Sequence, residues 1–241
     1  MKAAIIKTAR VGQSIYSLDT KGTVWGAHYD FRAGPEKFNF SAADFDLFVA
    51  KMKKHNDQKR GLCRRPSTSI RNSMWGAVQG ATRYGDGIQS VSTAGHGGFI
   101  LSEERNAAVH SAWRARNGQY EEDGHWSVVA FTFPQLFTDW EIELAYATLR
   151  NWYPDEFTAV TGEALTEEDS RTLRERAATE RNKGKWVVVS AINDNGMVRC
   201  IAKLGGDRSS RNERVYLVPK DEYHIPVGGF VIDEARHKLA A

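Results

Sequence analysis

The chain has few of the residues that build disulfide frameworks or membrane spans. Its 241 residues include two cysteines, Cys63 and Cys200, which stand far apart and form no CxxC pair. A disulfide scaffold and a cysteine-rich zinc site are therefore excluded, and a reducing cytoplasm is the expected compartment. No apolar run approaches the roughly 20 residues that cross a bilayer. The first residues carry a charge at Lys7 and no long apolar stretch, so no secretory signal is expected.

The sequence also lacks a complete signature of a common catalytic or cofactor site. The glycine cluster at residues 95–98 lacks the Lys and Ser/Thr of a phosphate-binding loop. It also lacks the strand–GxGxxG–helix setting of dinucleotide folds. His224 and His237 are isolated and form no HExxH pair. We therefore predict no cofactor and assign no metal site.

The composition, 41% apolar and 26% charged, is that of a globular protein, and its patterns predict the α+β class. Residues 1–54 are predicted to form a small ββ(β)α unit with short strands at 3–9, 14–18 and 22–30. Ser41 caps its helix, whose apolar face consists of Ala42, Phe45, Phe48, Val49 and Met52. Residues 55–73 lack periodicity and are predicted to be a basic linker. Residues 74–241 are predicted to form the main α+β domain.

The main domain is predicted to contain two or three helices around a buried central strand. That strand is assigned to Trp126–Phe133, a continuous apolar run of strand length. Other strands are expected at 75–84 and 88–91. Helices are expected from Ser102 to about Arg114, from the capping box at 138–141 to Pro154, and from Thr166 to about Asn182. A C-terminal antiparallel meander is predicted at 185–192, 197–204, 213–218 and 229–232, with Asn195-Gly196 as a hairpin turn.

Charge is unevenly distributed along the chain. The segment 51–71 holds eight basic residues and one aspartate, whereas 139–169 holds nine carboxylates and one arginine. Such asymmetry indicates either solvated surfaces or a charged partner. On the second interpretation the basic segment binds nucleic acid or an acidic surface, and its candidate binding residues are Lys53, Lys54, Arg60, Arg64 and Arg65.

The segment 92–123 is the best candidate for a polar site. His96 stands among Gly95, Gly97 and Gly98, which permit close backbone approach and an anion-binding nest. A histidine there is suited to general acid–base catalysis near neutral pH. The catalytic set is predicted to be His96, Glu103, Arg105 and Glu121, with Asn106 and the three glycines as binding residues. The alternatives are a plain turn at His96 and carboxylates that only complement a helix dipole.

Two further features bear on function. A divalent ion bound by Glu121, Glu122 and Asp123, with Glu103 and His125, is an alternative to a merely solvated acidic loop. Trp25 lies on a predicted strand of the small N-terminal unit, which has little core to bury it. Trp25 is therefore predicted to be an exposed anchor at an interface.

Several separate motifs together resemble an uncharacterised domain family that occurs in phage genomes and in plasmid and mobile-element proteins of proteobacteria. The resemblance covers about residues 74–233. It is carried, in this order, by Trp75-Gly76, Gly95-His96-Gly97-Gly98, Ser102-Glu103-Glu104-Arg105-Asn106, Tyr120-Glu121-Glu122-Asp123, Leu149-Arg150-Asn151-Trp152-Tyr153-Pro154-Asp155 and Gly229-Phe230-Val231-Ile232-Asp233. The resemblance implies a setting of conflict with host defences and implies no mechanism.

The expected function is therefore binding of a host macromolecule, in the cytoplasm of the host cell if the protein is phage-encoded. The target is expected to be a host protein or ribonucleoprotein, such as a CRISPR effector or a restriction complex, so the protein would be an inhibitor of host defence. The alternative is an enzyme that acts on a nucleotide or nucleic acid, with His96 as general acid or base.

Overall fold

The computed structural model describes residues 3–26, 30–31 and 40–240. It confirms the α+β class, with helices and antiparallel sheets in both of two compact units, Met1–Leu149 and Arg150–Ala241. Among the described residues, no helix combines the length and the apolar composition needed to cross a membrane.

The first unit contains eleven strands among the described residues, of which several have only two residues. They are β1 (Ile5–Val11), β2 (Ser14–Asp19), β3 (Val24–Trp25), β4 (Asp30–Phe31), β5 (Arg65–Pro66), β6 (Asn72–Ser73), β7 (Gly76–Ala77), β8 (Gly80–Gly85), β9 (Ile88–Ser92), β10 (Gly97–Leu101) and β11 (Gln119–Glu121). Its helices are α1 (Ala42–Gly61), α2 (Glu103–Ala108), α3 (Trp126–Thr132) and α4 (Asp139–Trp152), with a 3-10 turn at Pro134–Leu136 before α4, which ends in the second unit.

The N-terminal sheet packs one face on α1. Its strands follow the order β1-β2-β3-β4, all antiparallel. The predicted capping box begins α1, because the Ser41 hydroxyl accepts from Asp44 N and the Asp44 carboxylate accepts from Ser41 N. The apolar face of the helix buries Phe45, Phe48, Val49 and Met52 against Val11, Tyr16, Leu18 and Val24. The predictions of the first two strands and of the helix are confirmed. The predicted third strand at 22–30 is instead two short strands, β3 and β4, which pair with each other antiparallel, and residues 27–29 lie outside the described residues.

The second sheet has the order β11-β10-β9-β8-β5 and is antiparallel throughout. Its strand β9 agrees with the prediction, whereas the strand predicted at 75–84 is divided into β7, which pairs with β6 outside this sheet, and β8. The predicted linker differs from the structure, because α1 continues through His55 to Gly61 and β5 joins the edge of this sheet. The residues after His55 lack apolar periodicity because this end of α1 is held by polar contacts rather than by an apolar face.

The prediction of a central strand at Trp126–Phe133 is wrong, because residues Trp126–Thr132 form α3. Four successive residues of this helix, Ser127 to Ala130, are buried. A helix buried on all sides and a buried strand give the same continuous apolar run, so the periodicity could not distinguish them. Gly124 begins the helix locally, since its carbonyl accepts from the backbone N–H and the hydroxyl of Ser127.

The helix capped by Ser102 is shorter than predicted and ends at Ala108 rather than near Arg114. The Arg114 guanidinium donates to the carbonyls of Val109 and Ala107, which satisfies acceptors at the end of the helix. The chain therefore turns away from the helical direction at Val109.

The second unit consists of two helices and a four-stranded sheet. Its elements are α5 (Pro154–Thr161), α6 (Arg171–Arg181), β12 (Trp186–Asp194), β13 (Met197–Leu204), β14 (Glu213–Pro219) and β15 (Lys238–Leu239). The order β12-β13-β14-β15 confirms the predicted meander. Asn195 and Gly196 both have positive φ at its first turn, as the Asn-Gly pair predicts. Trp186, Cys200, Tyr216 and Phe230 are among its buried core residues.

Three boundaries of this unit differ from the predictions. Pro154 follows the end of α4, as predicted, but it is also the first residue of α5. Proline suits this position because the first residue of a helix has no acceptor within the helix for an N–H group. The helix predicted from Thr166 begins at Arg171 with Ser170 as its cap, because Asp169 caps a separate turn at Thr166. The strand predicted at 229–232 is reduced to one bridge, Val187 to Val231.

The predicted boundary between residues 73 and 74, which separates the linker from the main domain, stays a prediction. In the structure the first compact unit extends to Leu149. Side chains of α1 and of the segment that follows it contact the start of α4, which lies beyond the predicted boundary.

An almost buried ion pair joins these segments. The Arg64 guanidinium donates to both carboxylate oxygens of Glu141, at 2.8 and 2.6 Å, and to the carbonyl of Leu136. It also lies over the Tyr84 ring, 4.0 Å from its centroid. Burial raises the pKa of the Glu141 carboxyl, but the hydrogen bonds from Arg64 and Thr138 and the charges of Arg64 and His55 outweigh it, so the net pKa is lowered. The carboxylate is therefore charged in the folded protein at neutral pH.

We expect Arg64→Met to lower the free energy of unfolding by about 3 kcal/mol or more, because the change leaves the Glu141 carboxylate without its partner in a largely buried position. Equilibrium unfolding in urea measures the loss. The matched control is Arg60→Met, which removes an exposed pair with Asp57 and should cost less than about 1 kcal/mol. Equal losses in the two variants would contradict a structural role for the Arg64–Glu141 pair.

We also expect His55 to make stability depend on pH. Burial, helped by the charges of Lys59 and Arg64 and opposed by Glu141, lowers the pKa of His55 below its ordinary value of 6.5. The unfolded chain then binds the proton first as the solution is acidified, so stability falls as pH drops below about 6.5. His55→Asn retains a polar side chain near the Thr138 hydroxyl but has no imidazole. In this variant the melting temperature should depend less on pH between about pH 7 and 5.5. The exposed His110, changed to Asn, is the control and should leave the slope unchanged.

Candidate functional site

The basic segment does not form a free binding arm in the structure. Arg64 is enclosed and pairs with Glu141, which corrects its prediction as a surface binding residue. Lys54 pairs with Asp139 at 2.7 Å, and Lys51 pairs with Glu143 at 2.5 Å. The positive charge of this segment is therefore partly neutralised by the carboxylates that begin α4.

The other predicted binding residues of this segment lie at its surface. Lys53 is exposed on α1, and Arg60 pairs with Asp57 of the same helix. Arg65, on β5, lies opposite Arg83 and lines an open cleft of about 380 Å³.

A second cleft lies between α1 and α4 and has a volume of about 410 Å³. Its lining includes the paired charged residues Lys51, Lys54, Asp139 and Glu143. Because these side chains already neutralise one another, the cleft presents no uncompensated cluster of positive charge.

The part of the acidic segment 139–169 that belongs to the second unit contains paired carboxylates as well. Both carboxylate oxygens of Asp155 accept hydrogen bonds from Arg176, and both carboxylate oxygens of Glu167 accept hydrogen bonds from Arg181. Both arginines belong to α6. The charge asymmetry of the sequence thus reflects, in large part, pairing between segments of the same chain rather than an unmatched surface.

His96 lies in the turn between β9 and β10, at the edge where these strands begin and end. Thr93 holds this turn, since its backbone N–H and hydroxyl both donate to the carbonyl of His96, at 2.8 and 2.7 Å. The hydroxyl oxygen also accepts from the backbone N–H of His96. The imidazole itself is exposed.

Pairing of β10 with β11 brings two carboxylates to His96. Gly98 lies opposite Glu121, and the N–H of Glu122 donates to the carbonyl of Gly97 at 3.1 Å. One ligand-type atom each from His96, Glu121 and Glu122 lies within 4.8 Å of the others. The structure therefore joins the predicted residues His96 and Glu121 and adds Glu122.

Two glycines make this approach possible. A Cβ atom at Gly97 would lie 2.6 Å from the Oε2 atom of Glu122, and one at Gly98 would lie 2.1 Å from the carbonyl oxygen of Tyr120. Gly98 has φ of +154°, and a Cβ atom there would also lie 2.7 Å from the Trp75 ring. Gly95, in contrast, has open space around its Cα. Gly97 and Gly98 thus have a packing role, whereas the predicted anion nest stays a prediction.

The structure separates Glu103, Arg105 and Asn106 from His96. His96 precedes β10 and these residues follow it, so the length of a five-residue strand, about 16 Å, lies between them. The Arg105 guanidinium donates to the carbonyl of Asp86, in the turn at the far end of β9. Glu103 and Arg105 of the predicted catalytic set are therefore not neighbours of His96 in the fold.

Asn106 has a structural position. Its amide donates to the carbonyl of Ala115, and its oxygen accepts from the hydroxyl of the buried Tyr120 at 2.5 Å. These bonds tie the loop after α2 to β11. Glu103 and Glu104, at the first turn of α2, are placed where carboxylates complement a helix dipole.

Trp25 is exposed at the outer face of the N-terminal sheet, as predicted from the sequence. The residue is 45% exposed, and its indole N–H donates to the Asp19 carboxylate at 2.9 Å. That hydrogen bond, followed by those from the backbone N–H groups of Thr23 and Lys21, lowers the pKa of Asp19. The tryptophan is therefore held in one orientation by a buried, charged carboxylate.

Sequence reasoning missed one contact at each of two residues. Glu122 is predicted as a possible ligand of a divalent ion with Glu121, Asp123, Glu103 and His125, whereas the structure places it with Glu121 and His96. The signal for this contact is the glycine pair, which permits close approach of a neighbouring strand. The predicted capping role of Glu141 is confirmed, since its N–H donates to the Thr138 hydroxyl and its carboxylate accepts from the Thr138 N–H. Its second partner, Arg64, lies 77 residues away and left no local signal.

Residues 68–183 match the model of a family described as a domain of unknown function, DUF7007. The match supports the predicted resemblance to an uncharacterised family, over a segment that starts earlier and ends earlier than 74–233. It includes His96, Glu121 and Glu122 and leaves out Trp25. No match to the chain is found among curated proteins or solved structures.

We expect Gly98→Ala to lower the free energy of unfolding by about 2 kcal/mol or more, because the new methyl group would overlap the Tyr120 carbonyl and the Trp75 ring. Thermal or urea unfolding measures the loss. Gly95→Ala is the matched control, three residues earlier, and should stay within about 0.5 kcal/mol of the wild type. A Gly98→Ala variant as stable as Gly95→Ala would mean that β10 and β11 do not approach as closely as described.

Proposed function

We propose that the protein acts by binding a protein of the host cell through the outer face of its N-terminal sheet. In the setting that the sequence resemblance implies, it is a phage or mobile-element accessory protein. Its partner is then a component of a defence system, such as a CRISPR effector or a restriction complex. The observation that carries the proposal is the exposed Trp25 ring, which Asp19 holds in place.

A fixed aromatic side chain is a favourable interface anchor. Trp25 offers a large contact area, and the bond to Asp19 restricts its ring before any partner arrives. Because less side-chain entropy is lost on association, more of the contact energy is available for affinity. Tryptophan is also among the residues that most often dominate interface energetics.

The rest of the outer face suits a protein partner with an apolar surface. Strand pairing places Ile5, Thr8, Arg10, Ile15, Ser17 and Trp25 on the side of the sheet away from α1. Ile5 and Ile15 are exposed large apolar side chains. Arg10 is the one charged member of this set. A carboxylate on the partner opposite Arg10 would complement it and favour one orientation of docking.

Nucleic acid is the less favoured partner. The basic segment that suggested it is partly neutralised by Glu141, Glu143 and Asp139. Residues such as Lys53 and Arg65 remain at the surface, and they would give weak, salt-sensitive contacts to phosphate. Binding that depends on these residues and falls steeply with salt would favour the nucleic-acid interpretation over ours.

The enzymatic alternative keeps only part of its predicted residues. His96 and Glu121 converge, but Glu103 and Arg105 lie at the other end of β10. A general base needs its partner within hydrogen-bonding reach. The separation weighs against catalysis by the full predicted set, and it leaves binding as the better supported function.

We expect Trp25→Ala to abolish the biological effect while the protein stays folded. The assay expresses the chain in cells that carry a restriction or CRISPR system and measures the plating efficiency of a phage that the system targets. Wild type should raise plating, and Trp25→Ala should return it to the level without the protein. The affinity of Trp25→Ala for the partner isolated from those cells should be roughly 30-fold weaker than that of the wild type, which corresponds to about 2 kcal/mol lost at an interface anchor.

The control is Leu47→Ala, which removes an apolar side chain that is 70% exposed on α1. It should leave plating and affinity unchanged. Circular dichroism and the melting temperature confirm that Trp25→Ala is folded. No change of plating with the wild-type protein would overturn the anti-defence proposal, and equal effects of the two variants would overturn the assignment of the binding face.

A further inference from the structure

We propose that His96, Glu121 and Glu122 form a binding site for a divalent transition-metal ion. This inference does not depend on the proposed binding function, because Glu121 lies on β11 of the second sheet, with His96 and Glu122 directly beside its strands, and none of them lies on the outer face of the N-terminal sheet. It rests on the convergence of three ligands, on the backbone that fixes them, and on an enclosed carboxylate oxygen without a hydrogen-bond partner among the described residues.

The distances fit an ion after a small adjustment of side chains. The three ligand-type atoms lie within 4.8 Å of one another. Ligands that surround an ion tetrahedrally at about 2.1 Å lie about 3.4 Å apart. The widest separation therefore has to close by no more than about 1.4 Å. The exposed side chains of His96 and Glu122 can make that adjustment by rotation about their own bonds.

The backbone holds all three ligands at one edge of the sheet. Thr93 fixes the turn that presents His96, through bonds to its carbonyl and its N–H. Pairing of β10 with β11 sets Glu121 opposite Gly98. The close approach at Gly97 lets Glu122 lie against β10, which a side chain at that position would prevent. Such restraints reduce the entropy that ligand side chains lose on binding an ion.

Glu121 supplies the observation that points to a cation. Its Oε2 atom accepts from the backbone N–H groups of Asp123 and Gly124, at 2.8 and 3.3 Å. Its Oε1 atom is enclosed and has no hydrogen-bond partner among the residues that the structure describes. An enclosed carboxylate oxygen without a partner is costly, and such an atom in a native protein calls for an ion or a water molecule. With His96 and Glu122 adjacent, an ion accounts for all three side chains.

The ligand types favour a transition metal over Mg²⁺ or Ca²⁺. The two alkaline-earth ions prefer oxygen ligands alone. An imidazole nitrogen together with carboxylates suits ions such as Zn²⁺ and Mn²⁺. Three protein ligands also leave at least one coordination position for water or for a group of another molecule, as in open zinc sites. The ion would therefore be accessible from solvent rather than sealed in the core.

The test titrates the full-length, EDTA-treated protein with ZnCl₂ and separately with MnCl₂ in a calorimeter at pH 7. We expect the wild type to bind Zn²⁺, Mn²⁺ or both saturably. In His96→Ala and in Glu122→Gln, one equivalent of bound ion should be lost, or the affinity for the ion should be at least about tenfold weaker. Substitution with Co²⁺ gives a second readout, because its visible absorption reports ligation and should change in His96→Ala.

Two matched controls separate this site from incidental binding. His110→Ala removes another exposed histidine of the same unit, and Glu103→Gln removes a carboxylate at the far end of β10. Both should bind the ion as the wild type does. Absence of saturable binding would overturn the proposal, as would equal binding by His96→Ala, Glu122→Gln and the controls. Binding of Mg²⁺ or Ca²⁺ that ignores His96→Ala would overturn the transition-metal assignment. Circular dichroism confirms the fold of each variant.

Discussion

The first unit depends on one ion pair between residues that are distant in the sequence. Arg64 follows α1, stacks on Tyr84 of β8, and donates two hydrogen bonds to Glu141 at the start of α4. Removing both charges from water is costly, and the cost is offset only because the geometry is bidentate and other hydrogen bonds satisfy the carboxylate. Thr138 supplies one of these through its backbone N–H. The two helices and the sheet are thus fixed relative to each other where this pair forms.

The features that the sequence predicted well are those decided within about four residues. Ser41 with Asp44, Thr138 with Glu141, and Asn195 with Gly196 form the caps and the turn that their residue types indicate, because each needs only its near neighbours. The helix at Trp126–Thr132 was misassigned because burial on all sides removes the periodicity that distinguishes helix from strand. Arg64 was misassigned because nothing near it in the sequence indicates Glu141.

The candidate site follows the same rule. His96, Glu103 and Arg105 are close in the sequence, but a strand intervenes, and a strand separates its ends faster than a helix does, at about 3.3 Å per residue. Glu121 is farther in the sequence from His96 yet adjacent in space, because β11 pairs with β10. The predicted set therefore includes one carboxylate that meets His96, Glu121, and one that does not, Glu103, because the pairing of two strands and not nearness along the chain decides which side chains meet.

The carboxylates of Asp19 and Glu121 show how similar groups serve different ends. In Asp19, one oxygen accepts from two backbone N–H groups and the other accepts from Trp25, so the group is fully satisfied and orients an aromatic ring. In Glu121, one oxygen accepts from two backbone N–H groups in the same way, whereas the other is enclosed without a partner among the described residues. Since both are anchored by the backbone, the difference lies in the remaining oxygen. The satisfied oxygen of Asp19 positions a neighbour, whereas the unsatisfied oxygen of Glu121 belongs to a side chain that converges with an imidazole and a second carboxylate, which is why we propose a cation there.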